Sequence, residues 1–198
     1  MDMSFEGGFA DPVLDSQATF RAIMDALANP GKPQALGNLV LSQHGLTAEL
    51  GNVLLALSDA DTRIWLSETL RRPEVEGFAA FHTGAPLVTD PERATFAFAT
   101  STAELPRLDS FNLGTQEYPD RSTTVVLAVP SLTGGRDLAL RGPGIKDHLH
   151  CSPTGLPDDF VAQWAANREV FPRGVDLLLV ADGQVMGLPR STRISEGH

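Results

Sequence analysis

Apolar residues recur at helical spacing soon after the N-terminus: Phe20, Ile23, Met24 and Leu27 share one face of a helix that Asp15 or Ser16 can cap. Asn29-Pro30-Gly31 stops it. Thr47 can cap a second helix, with Leu50, Val53, Leu54 and Leu57 on one face, ending at the acidic turn Ser58-Asp59-Ala60-Asp61. Thr62 to Leu66 reads as a short strand. A third helix follows Pro73, carries Val75, Phe78 and Phe81, and closes at Gly84.

Strand signals dominate the second half. Thr95 to Thr100 alternates Phe96 and Phe98 with alanines. Thr123 to Val129 and Val175 to Val180 are continuous apolar runs rich in β-branched residues, the pattern of strands covered on both faces, and are the expected central strands. Leu138 and Leu140 alternate with Asp137 and Arg141, which predicts a half-exposed strand running into Gly142-Pro143-Gly144. Asp158 to Glu169 reads as a late helix with Phe160, Val161, Trp164 and Ala165 inward. Asp182-Gly183 between two strand-like runs predicts a hairpin over 175 to 189. Residues 101 to 122 read mostly as loop, with a short helix near Leu105 to Leu108. The simplest architecture is α/β, a three-layer α/β/α arrangement with a mixed sheet. No repeat or low-complexity linker divides the chain, so a single domain over 1–198 is expected, with 1–13 as an arm and 191–198 as a tail.

At 198 residues with 42% hydrophobic and 20% charged positions, the chain can bury a sizeable core. No run approaches the roughly 18 apolar residues of a spanning helix, and Met1-Asp2-Met3-Ser4-Phe5-Glu6 lacks the basic start of a secretory signal, so the expectation is a cytoplasmic protein. Cys151, the sole cysteine, excludes an intrachain disulfide and an all-cysteine metal site. A net charge of −10 argues against nucleic acid and anionic membrane as partners. Any site for a small anion must be a local exception, built from a total of 15 lysines and arginines.

Few motifs promise chemistry. Thr133-Gly134-Gly135-Arg136 and Gly142-Pro143-Gly144-Ile145-Lys146 bracket a strand, and glycines beside basic residues can bring backbone amides to a phosphate, but neither fits a Walker or dinucleotide fingerprint. Tight turns with close chain approach explain both. His148, His150 and Cys151 have ligand chemistry but sit too close together to wrap one ion, so no intrachain metal site is expected. Asp59-Asp61 and Asp158-Asp159 fit turn formation and helix capping. No Gly-x-Ser-x-Gly occurs. By charge and turn context, Arg136, Arg141 and Lys146 are the first candidates for anion contact, and Arg190 with Arg193 the second.

Several ordered segments carry a resemblance: Phe20-Arg21, Ala26 to Gly31, Leu54 to Leu66, Phe81 to Leu87, Gly114-Thr115, Thr133 to Arg136, Leu138 to Ile145, Phe171 to Leu177 and Leu188 to Thr192. Together they resemble the H subunit family of the bacterial carbon–phosphorus lyase core complex across nearly the whole chain. The resemblance implies a fold similar to that of the aspartate-aminotransferase class of pyridoxal-phosphate enzymes, without the cofactor. It implies work within an assembly that, with G, I and L subunits, displaces adenine from ATP by a phosphonate to give a ribose 1-phosphonate 5-triphosphate. It also implies contact with J, which later cleaves the carbon–phosphorus bond, with K through the complex, and a homodimer when the chain is isolated. It carries over no catalytic residue. A Schiff base would need Lys32 or Lys146, both in Gly/Pro-rich turns. Two other classes stay open: a free-standing transferase and a nucleotide-binding regulatory module.

Overall fold

The computed structural model describes residues 7–38, 40 and 45–197. Its helices are α1 (Pro12–Ala28), α2 (Ala48–Leu57), α3 (Pro73–Thr83) and α4 (Phe160–Glu169). Its strands are β1 (Gln34–Ala35), β2 (Ile64–Leu66), β3 (Leu87–Val88), β4 (Phe96–Ala99), β5 (Thr124–Ala128), β6 (Leu138–Arg141), β7 (Leu149–Cys151), β8 (Asp176–Ala181), β9 (Gln184–Leu188) and β10 (Arg193–Glu196). Seven strands form one mixed sheet in the order β1-β9-β8-β5-β4-β2-β3. Its middle is parallel, with β5 between β4 and β8, whereas β9 adds antiparallel to β8 and β1 antiparallel to β9. The two expected central strands are thus neighbours at the heart of the sheet. Asp182 (φ 52°) and Gly183 (φ 71°) make the tight turn of the β8–β9 hairpin, and the right-handed twist of the strands favours that turn geometry.

Period-two alternation splits the apolar strands between two cores. Phe98, Val126, Leu178 and Val180 face α1, α2 and α3, while Ala97, Val125, Leu127, Leu177 and Leu179 face α4 and a second sheet. That second sheet, in the order β10-β6-β7, is the main departure from α/β/α layering, because the far layer is one helix plus three strands. Its strands cannot join the main sheet's interior. In β6 only Leu138 and Leu140 are buried and Arg141 is exposed, so one face needs water whereas the main strands need cover on both.

The helices form where expected, with different ends and faces. Asp11 caps α1 by accepting from the amides of Val13 (3.1 Å) and Leu14 (3.0 Å), because Pro12 presets the first helical φ. The expected cap Asp15 lies one turn in, where its carboxylate accepts from the Asp11 amide at 2.9 Å and the Asn38 side chain at 2.9 Å. These bonds hold its pKa below the usual aspartate range. Helix α1 buries Thr19, Ala22, Ile23 and Ala26 and exposes Phe20 and Met24, contrary to the expected apolar face. The reason is Gly187 in β9: a Cβ there would lie 2.7 Å from the Ala26 carbonyl carbon, so the helix approaches by its small residues and the large ones swing outward. Phe81 and Ala165 are also exposed rather than inward.

The ends of the chain need correction too. Residues 193–196 of the expected tail are strand β10, paired with β6, and α1 already begins within the expected 1–13 arm. Residues 1–6 of that arm lie outside the described residues. The 101–122 segment contains three short 3₁₀ turns, 102–104, 108–110 and 119–121, and brings Leu108 and Phe111 into the core beneath α4. In α4, Trp164 is fully buried and donates from Nε1 to the Thr192 carbonyl at 2.9 Å, fastening the helix to the start of β10.

Candidate functional site

Alternation in the small sheet sorts its residues into two faces. Leu138, Leu140 and Ile194 go to the core, and the other face presents Ala139, Arg141, Arg193, Ser195 and His150. Backbone register sets Arg193 directly opposite Arg141 and Ser195 opposite Ala139. On the third strand His150 lies opposite Ala139, and its ring packs edge-on against His148 with centroids 5.4 Å apart. Asp137 accepts from His150 Nδ1 at 2.8 Å, which fixes the ring and assigns the proton to that nitrogen when the carboxylate is ionised. Cys151 points the other way, into the core. Burial there, reinforced by the Asp137 charge, pushes its thiol up to about 12, so it stays protonated and inert at neutral pH.

The structure separates the five basic candidates. Arg141 and Arg193 come together, both exposed, and among the described residues neither side chain has an ion pair or hydrogen bond. Lys146 lies exposed in the loop that leaves β6. Arg136 stands at the opposite end of β6, tied to Glu196 at 3.3 Å and to the Asp158 carbonyl at 3.1 Å, on a cavity of 310 Å³ lined by Leu138, Pro153 and Leu156. Arg190 does not face ligand space. Its guanidinium grips the Asp176 carboxylate through Nε (3.1 and 3.2 Å) and Nη2 (2.5 Å) and donates to the Pro119 carbonyl, with both charged side chains mostly buried. It is a strut holding the start of β8 against the 119–121 turn.

The glycine loops serve chain approach. The amides of Gly134 and Gly135 already donate to Ser152, at its Oγ (3.2 Å) and its carbonyl (2.7 Å), leaving no open amide cradle there. Gly144, at φ 80°, sits where a Cβ would be 2.1 Å from the Ala28 carbonyl, so the turn packs against the end of α1. Asp59 accepts from the Asp61 amide in a local turn. Asp159 sits at the start of α4 without capping it; its carboxylate instead accepts from Gln163 (2.8 Å) and Arg107 (3.0 Å), which lowers its pKa. Among the described residues no group of three or more His, Cys, Asp or Glu is placed to share a metal ion. Lys32 and Lys146 are both exposed, unlike the enclosed lysine a Schiff base needs.

Sequence reasoning missed Arg168. It extends from α4 with its guanidinium 4.4 Å over the Phe171 ring, and its buried Nε has no hydrogen-bond partner among the described residues. Arg168 and Arg193 share the lining of a 320 Å³ surface pocket with Trp164, Ala165, Glu169 and Ile194. The signal was present in the composition, but only the packing of α4 on β10 brings these two arginines into one place.

Together these features define an α/β protein with a mixed seven-stranded sheet, four helices and a basic, histidine-bearing face on a small accessory sheet. The particular family follows from comparison: the model of the bacterial phosphonate metabolism protein (PhnH) family matches residues 7–195, and the chain belongs to that family. It is 46% identical over 190 residues to the alpha-D-ribose 1-methylphosphonate 5-triphosphate synthase subunit PhnH of Rhizobium meliloti (strain 1021), covering 96% of this chain and 95% of that protein. It is also 28% identical over 179 residues to a Stutzerimonas stutzeri protein provisionally described as C-P lyase subunit protein HtxG, covering 90% of this chain and 85% of that one. Among the described residues no helix is long and apolar enough to cross a membrane.

Proposed function

We propose that this chain is the H-type subunit of a carbon–phosphorus lyase core assembly in the bacterial cytoplasm. In that role it supports transfer of a phosphonate onto the ribose C1 of ATP with release of adenine. The observation that carries the reading is the near full-length match to the family, together with the subunit name of the 46% identical relative. Its partners are the G, I and J subunits, with L and K reached through the assembly, and in isolation it forms a homodimer. The stripe of Val13, Phe20 and Met24 along the outside of α1, with Phe81 also exposed on α3, supports an interface role, because large apolar residues left to water beside one another mark contact surface. The fold is read as similar to that of the aspartate-aminotransferase class, a reading supported by the largely parallel seven-stranded sheet with helices on both faces. The exposed positions of Lys32 and Lys146 support a chain that works without pyridoxal phosphate. No observation favours a free-standing transferase or a regulatory nucleotide-binding module.

Co-purification tests this. The tagged chain, expressed with its G, I and J partners, is expected to elute from gel filtration in a stoichiometric assembly and to show no turnover alone. A chain that runs apart from its partners under all conditions overturns the reading.

A further inference from the structure

We propose that Arg141 and Arg193 form a binding site for a tetrahedral phosphoryl or phosphonyl anion on the outer face of the small sheet. Like charges directly opposite each other on neighbouring strands repel. Here β6 and β10 hold two guanidinium groups in that relation. The chain has 25 carboxylates against 15 lysines and arginines, yet among the described residues neither arginine is given one. Arg136, Arg107 and Arg190, by contrast, each hold a carboxylate within 3.5 Å.

The surroundings suit an oxyanion. Ala139 and Ser195, the next pair on the same face of the ladder, are small and leave the face open. On the other side of Arg193 lies the 320 Å³ pocket that it shares with Arg168, where a phosphoryl group has room and Glu169 is the lining carboxylate. Stacking on Phe171 holds the Arg168 guanidinium in place at that pocket. Guanidinium forks match the spacing of two phosphate oxygens. His150, pinned by Asp137, borders the face from the third strand and has no protein partner for Nε2 among the described residues.

The choice of phosphonate and triphosphate as ligands rests on the subunit reading; the anion site itself does not. Isothermal titration of the isolated full chain in low-chloride buffer would use methylphosphonate, tripolyphosphate and ATP as separate probes. Saturable binding of at least one probe is expected at or below the millimolar range, and the Arg141→Gln/Arg193→Gln double variant should weaken it about tenfold or more. Arg107→Gln, which removes an exposed arginine already paired with carboxylates, should leave it unchanged. Methylphosphonate alone binding would identify the phosphonate as source, and tripolyphosphate with ATP the nucleotide tail. The melting temperature of the double variant should match or exceed that of the parent at low salt, since a repulsion is removed, so lost binding cannot be ascribed to unfolding. No saturable binding up to about 10 mM, or equal weakening by Arg107→Gln, overturns the proposal. So does loss of a partner subunit from the double variant without any anion binding by the parent, which would make this face a docking surface. A chain that binds anions but fails to assemble would sink the subunit reading and leave the site standing.

Discussion

Replacing Arg190 by alanine separates a structural arginine from a ligand-binding one. The side chain makes a two-pronged contact with Asp176 and one bond to the Pro119 carbonyl, while its own backbone amide also donates to Asp176 at 2.7 Å. Truncation removes every guanidinium bond and leaves the Asp176 carboxylate, 17% exposed, with only the amide. Removing one partner of a buried pair costs about 3–5 kcal/mol, and partial solvent access lowers this to about 3 kcal/mol. For a chain of this length the melting temperature should fall by roughly 6–12 °C. Calorimetry on Arg190→Ala, Asp176→Asn and the double variant measures it, and the cycle should return a coupling near 2 kcal/mol, estimated as that of a close charge pair. The reasoning is refuted if Arg190→Ala melts with the parent, or if it loses anion binding while keeping its stability.

Two further expectations follow from hydrogen-bonded polar groups. Fully buried Asn52 accepts from the Val40 amide at 2.8 Å and donates to the Asn38 carbonyl at 2.9 Å and Thr19 Oγ1 at 3.3 Å. Asn52→Leu should therefore cost about 2–4 kcal/mol and speed hydrogen exchange at Val40, and an unchanged exchange rate would contradict the network. Glu104 accepts from the Thr69 hydroxyl, the Thr69 amide at 3.3 Å and the Thr100 hydroxyl at 3.2 Å, and the Thr69 hydroxyl above all holds its pKa below the ordinary value. A lowered folded pKa means the stabilisation is full above the ordinary glutamate value of about 4.3 and is lost as pH falls through the folded value. The gap in melting temperature between the parent and Glu104→Gln should accordingly be constant near neutrality and close in acid; a gap that widens on acidification would reverse the assignment.

What local chemistry dictates was legible in the residues themselves. The doubly apolar runs that became β5 and β8, the Asp182-Gly183 turn, the Thr47 cap and the stop at Asn29-Pro30-Gly31 each depend on neighbours a few positions away. The absence of a cradle at Gly134-Gly135 depended instead on Ser152, remote in the chain, which takes up both amides. Facing and pairing were a different matter. Phe20 and Met24 read as core, but Gly187 on a distant strand decided which side of α1 could approach the sheet. Residues 193–196 carry too little apolar pattern to announce a strand, and β10 exists because β6 offers it a ladder. Five basic side chains looked alike in the sequence. Asp176 turned Arg190 into a buried strut, and β-sheet register set Arg141 against Arg193 without a counter-ion among the described residues. The class of fold, the central strands and the local turns follow from residue spacing and backbone preference, which can be read along the chain. Which charges are satisfied and which are left facing water depends on the folded chain, because charge partners are chosen by contacts between residues remote in sequence.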